Sequence, residues 1–311
     1  MRKAIAPVVA AALLILASCS SAPKPTAEVV ARKNQAAEYS KLGDDFMAKR
    51  DYASALRFYE ESLRENRAVD NGGGAVVSLN SIGRVYLAAG KQTEAEATFR
   101  EALDYAEALN SPSLRALSLA NLGEALYARG MREGALILFQ EGLPLAARDE
   151  RTLAVILHDR AVIYRDQERW EEAETDLRRA AGINQRLKRL SEYGANLYML
   201  GNIASKRGNL RSAQDFVRQA LAADKTAENS SGIAADLEAL AALAIKTENP
   251  EDAFNYYRRA FDVFVSMDSA PNALRCALAL TNLAAELSRD EDEARYAEYA
   301  KRIQSAGKEA R

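Results

Sequence analysis

The chain has 311 residues, with 42 Lys and Arg against 44 Asp and Glu, a net charge of −2 with its one histidine neutral, and two cysteines. Near-balanced charge leaves no basic footprint for nucleic acid. A single histidine, His158, excludes a histidine-dependent triad and a multi-histidine metal site.

Arg2 and Lys3 open the chain with positive charge, and Ala4 to Ala17 form an apolar run interrupted only by Pro7. A run of about 14 residues is short for a membrane-spanning helix and suits the apolar region of a secretory signal. It ends in Leu16-Ala17-Ser18-Cys19, which resembles the bacterial lipobox. That resemblance implies a lipoprotein signal peptide over residues 1–18. It also implies acylation of Cys19 on its thiol and new amine, as by palmitate, and attachment to a membrane. Two or three acyl chains suffice for stable anchoring. Ser20 stands where enterobacterial sorting reads an aspartate for inner-membrane retention, so the expected location is the outer membrane, facing the periplasm. Residues 19–36 read as a flexible tether, because SSAPKPTAE has prolines, small residues and no apolar period.

From residue 37 to 306 the chain repeats. Leu79, Ile82, Gly83 and Tyr86 fall at i, i+3, i+4 and i+7, one apolar stripe on a helix. Gly90 ends that helix in the left-handed position, and a second helix follows with Ala95, Phe99 and Ala102 on its apolar face. Small residues stand where the helices nearly touch, large ones where a gap needs filling. An earlier copy has Leu42-Gly43, Phe46, Ala55 and Tyr59, and a later one Leu122-Gly123, Leu126, Ala135 and Phe139. Leu200-Gly201 with Ala213 and Ala220 is another. In two copies alanine replaces the glycine: Ala161 with Tyr164, Ala173 and Ala180, and Ala241 with Ala253, Tyr257 and Ala260. A degenerate copy spans 271–303 around Leu283 and Ala294.

These motifs resemble the tetratricopeptide repeat, over nearly everything after Gln35. The resemblance implies an all-α superhelical solenoid of six to seven helix pairs, stacked as one array. Gly43, Gly83 and Gly123 recur every 40 residues, against 34 in the usual repeat. The surplus is expected after the second helices, at 103–111, 143–150 and 181–190, as in kinesin-light-chain-type arrays. Gly72-Gly73-Gly74 reads as a loosened junction between the first two copies. Pro250 after Asn249 reads as a helix start.

Chemistry-bearing constellations are missing from the sequence. No nucleophile has a base, no glycine-rich loop follows a strand, and no alternating-oxygen calcium loop occurs. No cofactor or metal is expected, and a cell-wall hydrolase or transferase lacks its catalytic residues. Glu60-Glu61 and Glu171-Glu172 read as solvated surface, and Asp290 to Glu293 as a helix N-terminus. Cys276 reads as a small buried hydrophobe, and Trp170 as inter-helix packing rather than a ligand platform.

In tetratricopeptide proteins the first helix of each pair lines a concave groove. Positions −6, −3, +1 and +4 from the signature glycine then face the groove. With a neighbouring asparagine they give Asn80, Arg84, Asn121, Glu124, Tyr127, His158, Tyr198 and Asn202, across four successive first helices. Asparagine and arginine can hold peptide backbone and carboxylates, and tyrosine supplies flat contacts at low entropy cost. The clamp by which chaperone-binding members hold a C-terminal carboxylate is not reproduced. The expected function is a lipid-anchored scaffold binding envelope proteins or peptides, akin to pilotins or adaptors of cell-wall enzymes. A partner of a periplasmic solute-binding protein in small-molecule uptake is the alternative reading.

Overall fold

The computed structural model describes residues 26–309, so the signal peptide, Cys19 and the first part of the expected tether lie outside the described residues. Fourteen α-helices occur among the described residues, with no strand. They are α1 (Ala27–Ala48), α2 (Tyr52–Ala68), α3 (Gly72–Ala88), α4 (Gln92–Ala108), α5 (Pro112–Ala128), α6 (Arg132–Leu145) and α7 (Glu150–Asp166). After these come α8 (Trp170–Arg186), α9 (Leu190–Lys206), α10 (Leu210–Thr226), α11 (Ser230–Lys246), α12 (Pro250–Ser266), α13 (Ala270–Glu286) and α14 (Asp290–Glu309). Consecutive helices pack as seven antiparallel pairs, each pair stacked on the next.

The spacing is regular to the residue. Helices of 17 residues alternate with three-residue turns, so helices begin at 52, 72, 92, 112 and 132, and again at 150, 170 and on to 290. Pro144 marks the one slip. It lies in the last turn of α6, where it has no N–H to donate, and the chain tightens into a 3₁₀ turn at Ala146–Arg148. The surplus over a standard repeat therefore lengthens both helices. α4 runs to Ala108 and α8 to Arg186, in line with the expected extra turns.

Two expectations change. Residues 27–36 are not tether but the first turns of α1, capped by Thr26, whose hydroxyl accepts from the Val29 N–H at 3.3 Å. Arg32 bridges Glu28 and, at 3.0 Å, Glu65 of α2. The segment is polar because only its Ala36 side is covered by a neighbour. Gly72-Gly73-Gly74 is the first turn of α3 rather than a slack junction. A side chain at Gly74 would collide with the Asn66 carboxamide.

Nearly all the turns close the same way. The N–H three residues past the helix, that of the next helix's N-cap residue, bonds the carbonyl five residues back, as in Lys91 to Tyr86 (2.8 Å), Arg169 to Tyr164 (2.8 Å) and Asn249 to Ala244 (2.9 Å). The residue between takes positive φ. Gly90, Gly130 and Gly208 do so without strain, while Arg50, Asp70, Asn110, Glu168, Lys188, Glu228, Glu248, Asp268 and Ser288 do so with a Cβ.

Within pairs, small and large residues interlock at a separation of sixteen. An added Cβ at Gly43 would lie 2.6 Å from the Tyr59 ring, and at Gly83 or Gly123 it would overlap Phe99 or Phe139. Ala161 faces this position with Leu177 instead, both fully buried. Between pairs, the end of each second helix meets the start of the next first helix. Several of these junctions are polar: the Asn66 amide donates to Ser78 at 3.2 Å, and Asp224 meets Asp236.

The curvature follows from which helices touch. First helices pack on the next first helix at α1/α3, α3/α5, α5/α7 and α9/α11, whereas second helices splay apart. First helices therefore form the concave inner wall.

Candidate functional site on the concave face

The eight expected groove residues all sit on first helices, but at two depths. Asn80 and Asn121 are buried. The Asn80 amide donates to the Val76 carbonyl (2.9 Å) and the Ser118 hydroxyl (3.0 Å), while its carbonyl accepts from the Asn121 amide (2.7 Å). These two asparagines tie α3 to α5. Their polar atoms are engaged within the protein, which corrects their reading as contact residues.

Arg84 and Glu124 are exposed at the surface of the same face. Neither makes a hydrogen bond or ion pair among the described residues. Glu124 stands against α7 near Asp159, and loss of hydration there raises its pKa, with Arg84 pulling the other way. Asp159 has its pKa raised well above the ordinary value by the same desolvation and by the charge of Glu124. Sequence reasoning missed Asp159, because it lies two residues before Ala161, outside the groove positions assigned from the repeat. Tyr127 is half-buried and donates to Asp166 at 2.8 Å. His158 bonds through Nδ1 to the Asn196 carbonyl oxygen at 2.8 Å, and burial lowers its pKa, so the imidazole is neutral. Tyr198 packs half-buried on the α8–α10 core.

Two wider depressions flank this row. One, of 660 Å³, lies among α1, α2 and α3 and is lined by Lys33, Lys41, Asp44, Asn71 and Val77. The other, of 480 Å³, lies across α7, α9 and α11, with Arg165, Asp166, Asn202, Ser205 and Lys246. Trp170 packs on the core, as expected, and also forms part of that wall.

Several charges away from this face are paired. Arg67 meets Glu101 at 2.5 Å across successive second helices, Arg186 meets Glu150 at 2.7 Å, Arg289 meets Glu251 at 2.5 Å, and Arg129 pairs with Glu96. Arg160 grips Asp176 with two bonds of 2.7 Å and pins α7 to α8.

Cys276 is buried against α11, and desolvation together with nearby Glu238 pushes its thiol up to about 12, in keeping with an inert packing residue.

Stacked pairs with a concave wall of first helices define an α-helical repeat solenoid, a scaffold class for protein interaction. More particularly, the tetratricopeptide repeat family model matches residues 35–108 and 152–226, and the chain carries tetratricopeptide repeats. A search of curated proteins returns no match. Solved structures share the fold at low identity. A STAND-class signal-transduction ATPase with a tetratricopeptide repeat sensor from Pyrococcus horikoshii aligns at a TM-score of 0.72 and 15% identity, over 89% of this chain and 43% of that one. A Rap protein complexed with competence and sporulation factor aligns at 0.62 and 15%, over 89% and 77%. PilF of Pseudomonas aeruginosa aligns at 0.57 and 20%, over 75% and 93%.

Proposed function

We propose that this chain is a lipid-anchored adaptor of the bacterial cell envelope, which holds a protein or peptide segment along its concave face and gathers partners for assembly of an envelope complex. The observation that carries the binding reading is the gathering of Arg84, Glu124 and Asp159 on that one concave wall, none with a hydrogen bond or ion pair among the described residues, beside the half-buried Tyr127 and Tyr198. Charges left unpaired inside a concavity favour a partner that supplies complementary groups. The Rap and PilF structures support the reading at the level of fold, since one is a complex with a signalling factor and the other comes from a functional study of a protein of similar form. The anchor rests on Leu16-Ala17-Ser18-Cys19 after an apolar run, and the envelope location rests on the anchor. Catalysis has no place in this reading.

The test is partner recovery from cells at equal protein abundance. Arg84→Ala or Tyr198→Ala should weaken capture by about 1–2 kcal/mol, as truncation of an interface anchor does. Glu172→Ala and Arg178→Ala, on the outer side, should leave it unchanged. Loss from the outer variants alone would place binding on the wrong face.

A further inference from the structure

The inner wall opens where α7 and α9, unlike α5/α7 and α9/α11, do not close on each other, and among the described residues the His158–Asn196 bond is the one hydrogen bond between them. A cavity of 120 Å³ lies there, opening past Val155 and Ala195. Its walls come from α7, from the end of α8 and from the start of α9.

Two residues lining this cavity each bury a polar atom with no hydrogen-bond partner among the described residues, Asn184 Oδ1 and Arg189 Nη1. Asn184 is only 3% exposed. A buried acceptor and a buried donor left unpaired carry a desolvation cost, unless something completes them. The Arg189 charge is already neutralised, because Nη2 donates to Glu192 at 2.5 Å. The Asn196 amide donates to the Glu192 carbonyl at 2.7 Å, which turns its oxygen toward His158. His158 Nδ1 must then carry the proton, and Nε2 is left as an acceptor. Asp159 adds a carboxyl group that makes no hydrogen bond among the described residues.

The cavity thus presents Arg189 Nη1 as a donor, Asn184 Oδ1 and His158 Nε2 as acceptors, and the protonated carboxyl of Asp159 as either. An ammonium or guanidinium would face Arg189 and leave its N–H unmatched. A carboxylate would bring a charge against Asn184 Oδ1 and Glu192 and leave Asn184 Oδ1 without a donor. A primary amide offers one acceptor and two donors, and carries no charge. A cavity of this size holds about four waters' worth of volume, enough for the end of a side chain and too little for a whole metabolite.

We propose that this cavity is a socket for a carboxamide, the side-chain end of an asparagine or glutamine on the segment bound along the concave face. The proposal rests on the reading of that face as a binding groove. In the socket the amide carbonyl accepts from Arg189 Nη1, and its two N–H groups donate to Asn184 Oδ1 and to His158 Nε2 or Asp159.

Two experiments separate the socket from the groove. In the first, crystals of the full chain are soaked with N-acetyl-glutamine methylamide, with the glutamate analogue, and with the norleucine analogue. Amide density in the cavity from the glutamine probe alone is the expected result. Ordered water only, or equal occupancy by all three, overturns the socket. In the second, random peptides are selected for binding to the full chain. Enriched peptides should carry asparagine or glutamine at one fixed position, and replacing it by glutamate or leucine should weaken binding at least tenfold. Asn184→Leu should abolish that preference. Ala195→Phe, at the exposed mouth, should do the same without touching the core, should Asn184→Leu fail to fold. Peptides enriched with no amide preference would overturn the socket and leave the groove standing. Amide density with no peptide enriched would support the socket and count against the groove.

Discussion

The junction between α10 and α11 should make the stability of this protein fall as pH rises. Asp224 and Asp236 meet there with 2% and 1% exposure. Glycine at 194 and 232 makes room, since a Cβ at Gly194 would lie 2.9 Å from Asp224 Oδ2 and one at Gly232 would overlap it. The Asn229 amide holds Asp224 at 2.8 Å, and Asp236 Oδ2 has no partner among the described residues. Desolvation, then the charge of Asp224 and a hydrogen bond to it, push Asp236 up to about 8 from an ordinary 3.8. Asp236 is therefore the protonated member of the pair, donating to Asp224. The unfolded chain loses that proton near pH 4 and the folded chain keeps it to about pH 8, so folding takes up a proton between these values. The stabilisation is complete below pH 4 and is lost as pH rises toward 8, at up to about 1.4 kcal/mol per unit. Asp236→Asn keeps a donor to Asp224 with no proton to take up. Chemical denaturation of both chains from pH 5 to pH 8 should show the difference in unfolding free energy, variant minus wild type, rising by several kcal/mol, on the order of 3. Asp159 and Glu124, also raised, give the wild type a slope of the same sign, and neutral His158 opposes it near pH 6. Because those groups persist in the variant, the comparison isolates the proton shared by Asp236 and Asp224, itself raised by burial. Parallel curves for the two chains would refute the shared proton.

Gly83→Ala should destabilise by about 1–3 kcal/mol, because its Cβ overlaps Phe99. Adding Phe99→Leu should recover part of the loss, as Ala161 with Leu177 does naturally, and a double-mutant cycle measures the coupling. Glu168→Gly should stabilise by up to about 1 kcal/mol, since Glu168 holds φ at 57°, while Gly90→Ala, at 77°, should cost about as much. Melting curves read both changes, and matching signs would contradict the turn geometry. Cys19→Ser should release the protein from membranes or leave uncleaved precursor. Fractionation and migration like the wild type would end the lipoprotein reading.

Much of the architecture was legible in the residues alone. The small residues at 43, 83, 123 and 201, each sixteen before a larger partner, set helix pairing, because contact within a pair is local and depends on side-chain size. Gly90 marked a turn through its backbone freedom. At Glu168, Lys188 and Glu228 the same left-handed turns carry no glycine, and their closing backbone hydrogen bonds and the packing on either side hold them. The polar start of α1 was misread as tether because its single buried side, at Ala36, depends on α2 arriving from elsewhere in the chain.

The candidate site divides the same way. Helical period placed Asn80, Arg84, Asn121 and Glu124 on one face, since residues three and four apart share a side. Period says nothing of depth. Asn80 and Asn121 are sealed because α3 and α5 close on each other, and the cavity beside Asn184 exists because α7 and α9 do not. Sequence therefore determined the repeat, its register and its inner face. Tertiary spacing alone decided which polar groups on that face are spent on the fold and which are left to meet a partner.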